Sequence, residues 1–289
     1  KNFLEQSYST NNNISVAYKS SNSAVRSSIN WVENKGQYPN SKLDKYSYSL
    51  GGDINLDKFT LSSNLSYSKK IIPNLGSNGY TSYDPMYSLL IWSGSDFNIL
   101  DYKDNYWMIK DQVQNYTYRS GSNNPYFDRY EKINMSARDI FNADVTASYQ
   151  IAEWLKTTLR TWIDDYTDLG KQRVSWGSYV SLGNTPFPGN AYPWNGSPTG
   201  AYNTGKTQGF SMNSDFMLSG DRTLDLLTIE YLAGGAINYT NDETLYGMTA
   251  GGISVPGFYS LKASVNPATV GETRQSRQIN SLYGRIALS

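Results

Sequence analysis

Apolar and polar residues alternate along much of this chain with a period of two. Between residues 59 and 68, odd-numbered positions carry Phe, Leu, Ser, Leu and Tyr, whereas even-numbered positions carry only Thr, Ser and Asn. Residues 141–151 repeat the pattern. Because successive side chains of a β-strand point to opposite faces, the alternation predicts strands with one apolar and one polar face. With seven further segments of varying clarity, it predicts an all-β chain of about nine strands.

The connections between the predicted strands alternate between short and long. The short connections lie near residues 20–23, 56–58, 152–153 and 220–223. The longer connections lie near residues 34–43, 69–138, 167–208 and 240–276. In an up-and-down antiparallel sheet, every second connection lies at the same end, so turns and loops are sorted to opposite ends. This asymmetry is typical of a transmembrane β-barrel, with short periplasmic turns and long extracellular loops.

The predicted strands also have the length and the aromatic residues of a membrane barrel. A β-strand crosses a bilayer in about 9–11 residues, whereas soluble strands average about 5–6. Tyrosine and tryptophan lie towards strand ends, where an interfacial girdle forms: Tyr18, Trp31, Tyr67, Tyr149, Trp154 and Tyr239. Residues 1–289 are therefore predicted to be part of a single β-barrel domain. Since single-chain bacterial barrels have an even number of strands, nine strands indicate a segment. A soluble β-sandwich is the alternative.

Composition excludes several classes of chemistry. The chain has no cysteine and no histidine, which removes disulfides, thiolate and Ser-His-Asp nucleophiles, and ordinary zinc or haem sites. Its net charge is zero, which argues against nucleic-acid binding. Acidic residues in the loops lack the spacing of a calcium site. We therefore predict no enzyme, no cofactor and no metal. Charged residues on the polar strand faces, including Arg160 and Asp215, are predicted to line a wet lumen.

The predicted long loops are rich in aromatic residues, which can stack on sugar rings or pack on peptides, beside polar residues that form directional hydrogen bonds. The candidate residues for cargo or partner binding are Trp92, Asp101, Tyr102, Trp107, Asn124, Tyr126, Trp176 and Trp194. The alternative is that these aromatics pack the loops against each other, because long ordered loops need cores of their own. Residues 83–93 are predicted to form a short helix that begins at Asp84-Pro85.

Several short motifs resemble one family of outer-membrane proteins. These are N-K-G-Q-Y-P-N at 34–40, D-Y-K-D-N-Y-W at 101–107, N-N-P-Y-F at 123–127 and L-Y-G-R at 282–285. In this order, they resemble SusC/RagA-like TonB-dependent transporters. The resemblance implies a segment of a larger barrel of about 22 strands, in which the plug and the terminal strands lie outside this chain.

The resemblance also implies a function and a set of partners. These are TonB-dependent uptake of oligosaccharides or peptides across the outer membrane of a Gram-negative bacterium, and a SusD-like surface lipoprotein that helps capture the cargo. The TonB complex would act through the plug, and lipid and the remaining barrel strands would surround the wall. A passive porin-like barrel and a secreted glycan-binding β-sandwich remain as alternatives.

Overall fold

The computed structural model describes residues 2–76, 85–94, 96–115, 123–178, 199–225 and 227–289. Within these residues, nine strands form one antiparallel sheet in chain order, which we call the wall. The strands are β1 (Tyr8–Lys19), β2 (Ser23–Lys35), β3 (Lys42–Leu56), β4 (Phe59–Ile72), β7 (Lys132–Ala152), β8 (Leu155–Val174), β9 (Ala201–Leu224), β10 (Leu227–Ile253) and β11 (Ser264–Leu288). This confirms the predicted fold class of an antiparallel barrel segment, and a single sheet of this size excludes the two packed sheets of a β-sandwich.

The tight turns all lie at one end of the wall, as the sequence predicts. They span 20–22, 57–58, 153–154 and 225–226. Asp57 and Asp225 have φ angles of 46° and 54°, a left-handed conformation that Asp tolerates and that two-residue hairpins need. The chain can therefore reverse within two residues at the β3–β4 and β9–β10 turns.

The connections at the other end are shorter than predicted, because the strands continue further. They span 36–41, 73–131, 175–200 and 254–263. Strands β7 to β11 are 20 to 27 residues long, whereas β1 to β4 are 12 to 15. Since about 9–11 residues cross a bilayer, β7 to β11 extend well beyond it. The predicted loops 69–138, 167–208 and 240–276 therefore each lose residues to the flanking strands.

The strand register aligns the apolar positions on one face of the wall. Directly opposed residues of antiparallel strands point to the same face. One apolar row runs through Leu50, Leu65, Ala143, Ile163 and Met212. The neighbouring row, on the other face, runs through Ser49, Ser66, Asn142, Asp164 and Ser211. In a membrane barrel the apolar face contacts lipid and the polar face lines the lumen.

The longest connection, 73–131, carries secondary structure of its own. It contains α1 (Pro85–Trp92), a 3-10 turn at Ile99–Tyr102, the hairpin of β5 (Trp107–Ile109) and β6 (Val113–Gln114), and α2 (Pro125–Tyr130). Helix α1 matches the predicted helix, whose first two residues lie outside the described residues. No helix in the described part of the chain is long and apolar enough to cross a membrane.

The buried apolar side chains of the described residues lie in the loops or towards the loop ends of strands. They are Phe3, Ile99, Tyr126, Phe127, Ala137, Val174, Ala201, Ile253 and Ala263. We call the assembly of residues 2–5, 36–41, 97–115, 123–131, 175–178 and 254–263 the loop cluster. It is the one region of the described chain that contains a conventional dry core.

Candidate functional site

Aromatic side chains from distant parts of the sequence form the centre of the loop cluster. The ring of Phe3 lies 5.1 Å from that of Tyr126, and Trp107 meets Phe127 edge-on at 5.1 Å. Tyr126 and Phe127 are 1% and 0% exposed. Such pairs add to the free energy of burial because ring edges and faces carry opposite partial charge. The N-terminal segment and α2 are therefore held together as one packed unit.

Glu131 joins two of the connections through its carboxylate, and Ser175 links them to a third. Its Oε1 accepts hydrogen bonds from Tyr106 OH (3.4 Å) and Trp107 Nε1 (3.2 Å), and its Oε2 accepts one from Ser175 Oγ (2.5 Å). The hydroxyl of Tyr259 lies 2.5 Å from the same Ser175 Oγ. Burial raises the pKa of Tyr259 and of Tyr106, and the nearby Glu131 raises both further. Both phenols therefore stay protonated at neutral pH and hold these loops together.

Helix α2 begins at a buried amide network. Asn124 is its N-cap, with Oδ1 accepting from the Tyr126 amide at 2.9 Å, and Pro125 follows at the first helical position. Gln114 is fully buried and donates from Nε2 to the Gly177 carbonyl (2.6 Å), while its Oε1 accepts from the Asn124 amide (2.8 Å). The hairpin, the helix and the connection after β8 are therefore joined without charged groups.

The last turn of α2 is anchored by buried charges. Arg129 is 3% exposed and donates from Nε to the Pro39 carbonyl at 2.7 Å. Asp128 and Lys132 form a buried ion pair at 3.2 Å. Burial raises the pKa of Asp128, against the opposing effects of Lys132 and a hydrogen bond from Asn123. The cluster is thereby tied to the β2–β3 connection, above the shorter strands of the wall.

Three of the candidate binding residues lie inside the cluster. Asn124 is 0% exposed and Tyr126 is 1% exposed. Trp107 is partly buried between Phe127 and Glu131. A buried side chain offers little surface to a ligand, so the contacts of these three residues are those of loop packing. Their role in binding stays a prediction.

The other candidates lie at the edge of the cluster or beyond the described part. Asp101 is exposed and accepts a hydrogen bond from Asn98 Nδ2 at 2.8 Å, and Tyr102 stacks on Phe97 at 5.3 Å. Trp176 donates from Nε1 to the Ile253 carbonyl at 2.9 Å. Trp92 ends α1, with a side chain outside the described atoms, and Trp194 lies outside the described residues. The structure brings Asp101, Tyr102, Trp107, Asn124, Tyr126 and Trp176 into one assembly.

The polar face of the wall carries a group of interacting charged and polar side chains that the sequence did not predict to be in contact. Arg160 and Asp215 are directly opposed on β8 and β9, and Arg160 Nε donates to Asp215 Oδ1 at 3.0 Å. Tyr283 of β11 donates to Asp215 Oδ2 at 3.2 Å. The polar strand positions were visible in the sequence, but their pairing depends on the register. No group of three or more possible metal-ligating side chains occurs among the described residues.

Solved structures that resemble this chain are import proteins of the outer membrane. A chain of the RagAB peptide importer in its "open-open" state matches with a TM-score of 0.68 and 13% identity, over 99% of this chain and 30% of that chain. The "closed-closed" state matches with a TM-score of 0.68 and 14% identity, over 99% and 31%. The ferric-catecholate import receptor Fiu of E. coli K12, in an open form, matches with a TM-score of 0.50 and 11% identity, over 98% and 41%.

These likenesses establish the fold and no more, because the identities are low. The chain has the fold of part of an outer-membrane β-barrel. It spans 30% to 41% of the length of the three structures. No protein-family model and no curated protein matches the sequence.

Proposed function

We propose that this chain is a wall segment of an outer-membrane nutrient importer of the SusC/RagA-like type in a Gram-negative bacterium. The observation that carries the proposal is the wall itself, whose nine strands share one apolar face, one polar face and an ordered loop cluster at one end. A barrel of this kind encloses a polar lumen, and the ordered loop cluster lies at one end of its wall. A polar lumen together with an ordered loop cluster is expected of a selective importer rather than of an open, passive pore.

The cargo of the proposed importer is an oligosaccharide or a peptide, and its energy comes from the TonB complex. A SusD-like surface lipoprotein is the proposed partner, by likeness to the RagAB importer. The test uses the complete protein in its native bacterium. Deleting its gene should abolish uptake of one labelled peptide or glycan mixture, and a plasmid copy should restore it. Uptake that persists without the gene contradicts the import function. If the restored uptake is unchanged when the proton gradient is collapsed, the protein is a passive porin instead.

The partner is proposed to contact exposed apolar residues of the extracellular connections. Leu90 on α1 and Met108 on β5 are large apolar side chains outside the bilayer, and they are 72% and 68% exposed. Leu90→Asp and Met108→Asp should each reduce co-purification of a surface lipoprotein with the tagged protein. The matched control is Lys103→Ala, which changes an exposed polar residue of the same connection. Equal co-purification by all three variants would place the partner elsewhere.

A further inference from the structure

A hollow in the polar face of the wall lies where three neighbouring strands lack large side chains. Ser136 of β7 opposes Gly170 of β8, and Gly170 opposes Gly205 of β9. A Cβ added at Gly170 would meet no atom within 4 Å. The resulting cavity has a volume of about 380 Å³, and Tyr246 of β10 borders it. These residues lie more than the bilayer-crossing length from the tight turns, so the hollow opens into the extracellular part of the lumen.

The rim nearer the loops carries three amide side chains beside the apolar Leu75 and Met248. Asn134, Gln172 and Asn203 occupy directly opposed positions on β7, β8 and β9. Asn203 Nδ2 donates to Gln172 Oε1 at 3.2 Å. Asn134 is 4% exposed, and its Nδ2 has no hydrogen-bond partner among the described residues. Buried donors are nearly always paired, so the unpaired Asn134 nitrogen at this rim calls for a partner.

The rim nearer the tight turns carries the charges. Arg138 Nη1 lies 3.4 Å from Asp168 Oδ2, and its guanidinium lies over the Tyr166 ring at 4.8 Å, while the buried Arg138 Nε has no hydrogen-bond partner among the described residues. Lys70 of β4 is opposed to Arg138 and also lines the cavity. Lys70 belongs to none of the ion pairs found within the described chain. Two cations and one carboxylate therefore border the hollow, which leaves one positive charge in excess.

From this arrangement we infer that the hollow binds a carboxylate group of the cargo. The ammonium of Lys70 and the guanidinium of Arg138 lie on one rim and are both donors, which a carboxylate accepts in charge-assisted hydrogen bonds, while Asn134 on the opposite rim is a donor for a further acceptor of the cargo. One excess positive charge matches a monoanion better than a phosphate ester, whose charge is about −1.5 to −2. The inference rests on the proposed import function and narrows its cargo to acidic peptides or acidic oligosaccharides.

The test measures binding and uptake with paired probes that differ only in charge. The purified complete protein in nanodiscs is titrated with an aspartate-rich hexapeptide and with its fully amidated analogue, and with oligogalacturonate and its methyl ester. We expect at least a tenfold preference for one acidic probe over its neutral partner. A peptide preference and a sugar preference both support the inference and identify the source of the carboxylate. Equal binding within both pairs, or tighter binding of a phosphorylated peptide, overturns it.

Two variants connect that preference to the hollow. Lys70→Met should remove most of the preference and leave neutral probes unaffected. Gly170→Val should place a side chain in the hollow and weaken binding of the acidic probe at least tenfold. Gly52→Val is the matched control, because a Cβ at this wall glycine has only ordinary contacts, with a nearest atom at 3.5 Å. Heat-modifiability on gels reports insertion of each variant. If Lys70→Met and Gly170→Val insert normally and keep the wild-type preference for the acidic probe, the proposed site is wrong. If the wild-type protein takes up none of the probes, the import function is contradicted instead.

Discussion

The wall and the loop cluster bury their apolar side chains in opposite ways. On the wall, large apolar residues point outwards, and Leu65 and Phe216 are 37% and 50% exposed in the isolated chain. In the loop cluster, Tyr126 and Phe127 are almost completely enclosed by protein. The same hydrophobic effect produces both arrangements, because lipid surrounds the wall and water surrounds the loops.

The two regions also satisfy their polar groups differently. The backbone of the wall is paired strand to strand, so its hydrogen bonds depend little on which side chains are present. In the loop cluster, side chains such as Arg129, Gln114 and Asn124 donate to or accept from backbone groups that no strand pairs. The wall should therefore tolerate apolar exchanges, and the cluster should depend on individual residues.

The largest expected effect is in the cluster core. Phe127→Ala removes a fully buried ring and leaves a cavity, which typically destabilises by about 3–5 kcal/mol. Hydrogen exchange of the complete protein should show faster opening of residues 97–115 and 123–131 and unchanged protection of β8 and β9. The matched control is Phe216→Ala on the wall, where lipid can refill the space. Equal losses at both positions would mean that the two regions do not differ in their surroundings.

The next largest effect is expected when a charged side chain is placed on the apolar face of the wall. Leu65 lies midway along β4 on the apolar face, and Arg on the lipid face near the bilayer midplane costs about 2–4 kcal/mol. Leu65→Arg should lower the urea concentration at which the barrel unfolds in lipid vesicles. Ser66→Arg, one position along on the polar face, should have a much smaller effect. Equal shifts for the two variants would contradict the assignment of faces.

The sequence predicted the wall within the bilayer better than the wall above it. Residues 59–68 alternate clearly because one face meets lipid and the other meets water. Residues 203–208 read Asn-Thr-Gly-Lys-Thr-Gln, with no alternation, yet they belong to β9. Beyond the bilayer both faces are wet, so the period-two signal disappears while the backbone pairing continues. This explains why the predicted loops were longer than those observed.

Candidate site residues were harder to interpret, because their roles depend on tertiary contacts. The stretch Asn124-Pro125 carries a readable helix-start signal, with a capping side chain before proline. The sequence does not show that Tyr126 would meet Phe3, which lies far away along the chain. The opposition of Gly170 and Gly205 likewise follows only from the strand register. The residue types in the sequence indicated that the loops are rich in aromatic and polar side chains. Which of these side chains are accessible to a ligand depends on tertiary contacts.

A smaller effect is expected at the start of α2. Asn124→Ala removes the N-cap acceptor, which costs about 0.5–2 kcal/mol, and complete burial places this residue towards the upper end. Asn124→Ser keeps an oxygen acceptor and should recover part of the loss. Hydrogen exchange at residues 125–131 is the measurement. Unchanged exchange in Asn124→Ala would show that packing alone holds the helix.

The smallest expected effect is a dependence of stability on pH that the loop cluster shows and the wall does not. The pKa values of Tyr106 and Tyr259 are raised above the ordinary value of 10.0, mainly by burial. The folded cluster thus binds these protons more tightly than the unfolded chain does, and this contribution to stability is complete below about pH 10. It is lost as the pH rises from there through the folded-state pKa values, because ionised phenolates would be buried close to Glu131. Raising the pH from 9 to 11.5 should therefore expose residues 97–115 and 123–131 to protease while strand pairing in the wall persists. The double variant Tyr106→Phe, Tyr259→Phe loses the hydroxyls, at roughly 0.5–1.5 kcal/mol for each hydrogen bond, and should show a weaker pH dependence. A cluster that opens with the same pH dependence in both proteins would show that groups other than these two phenols control its alkaline release.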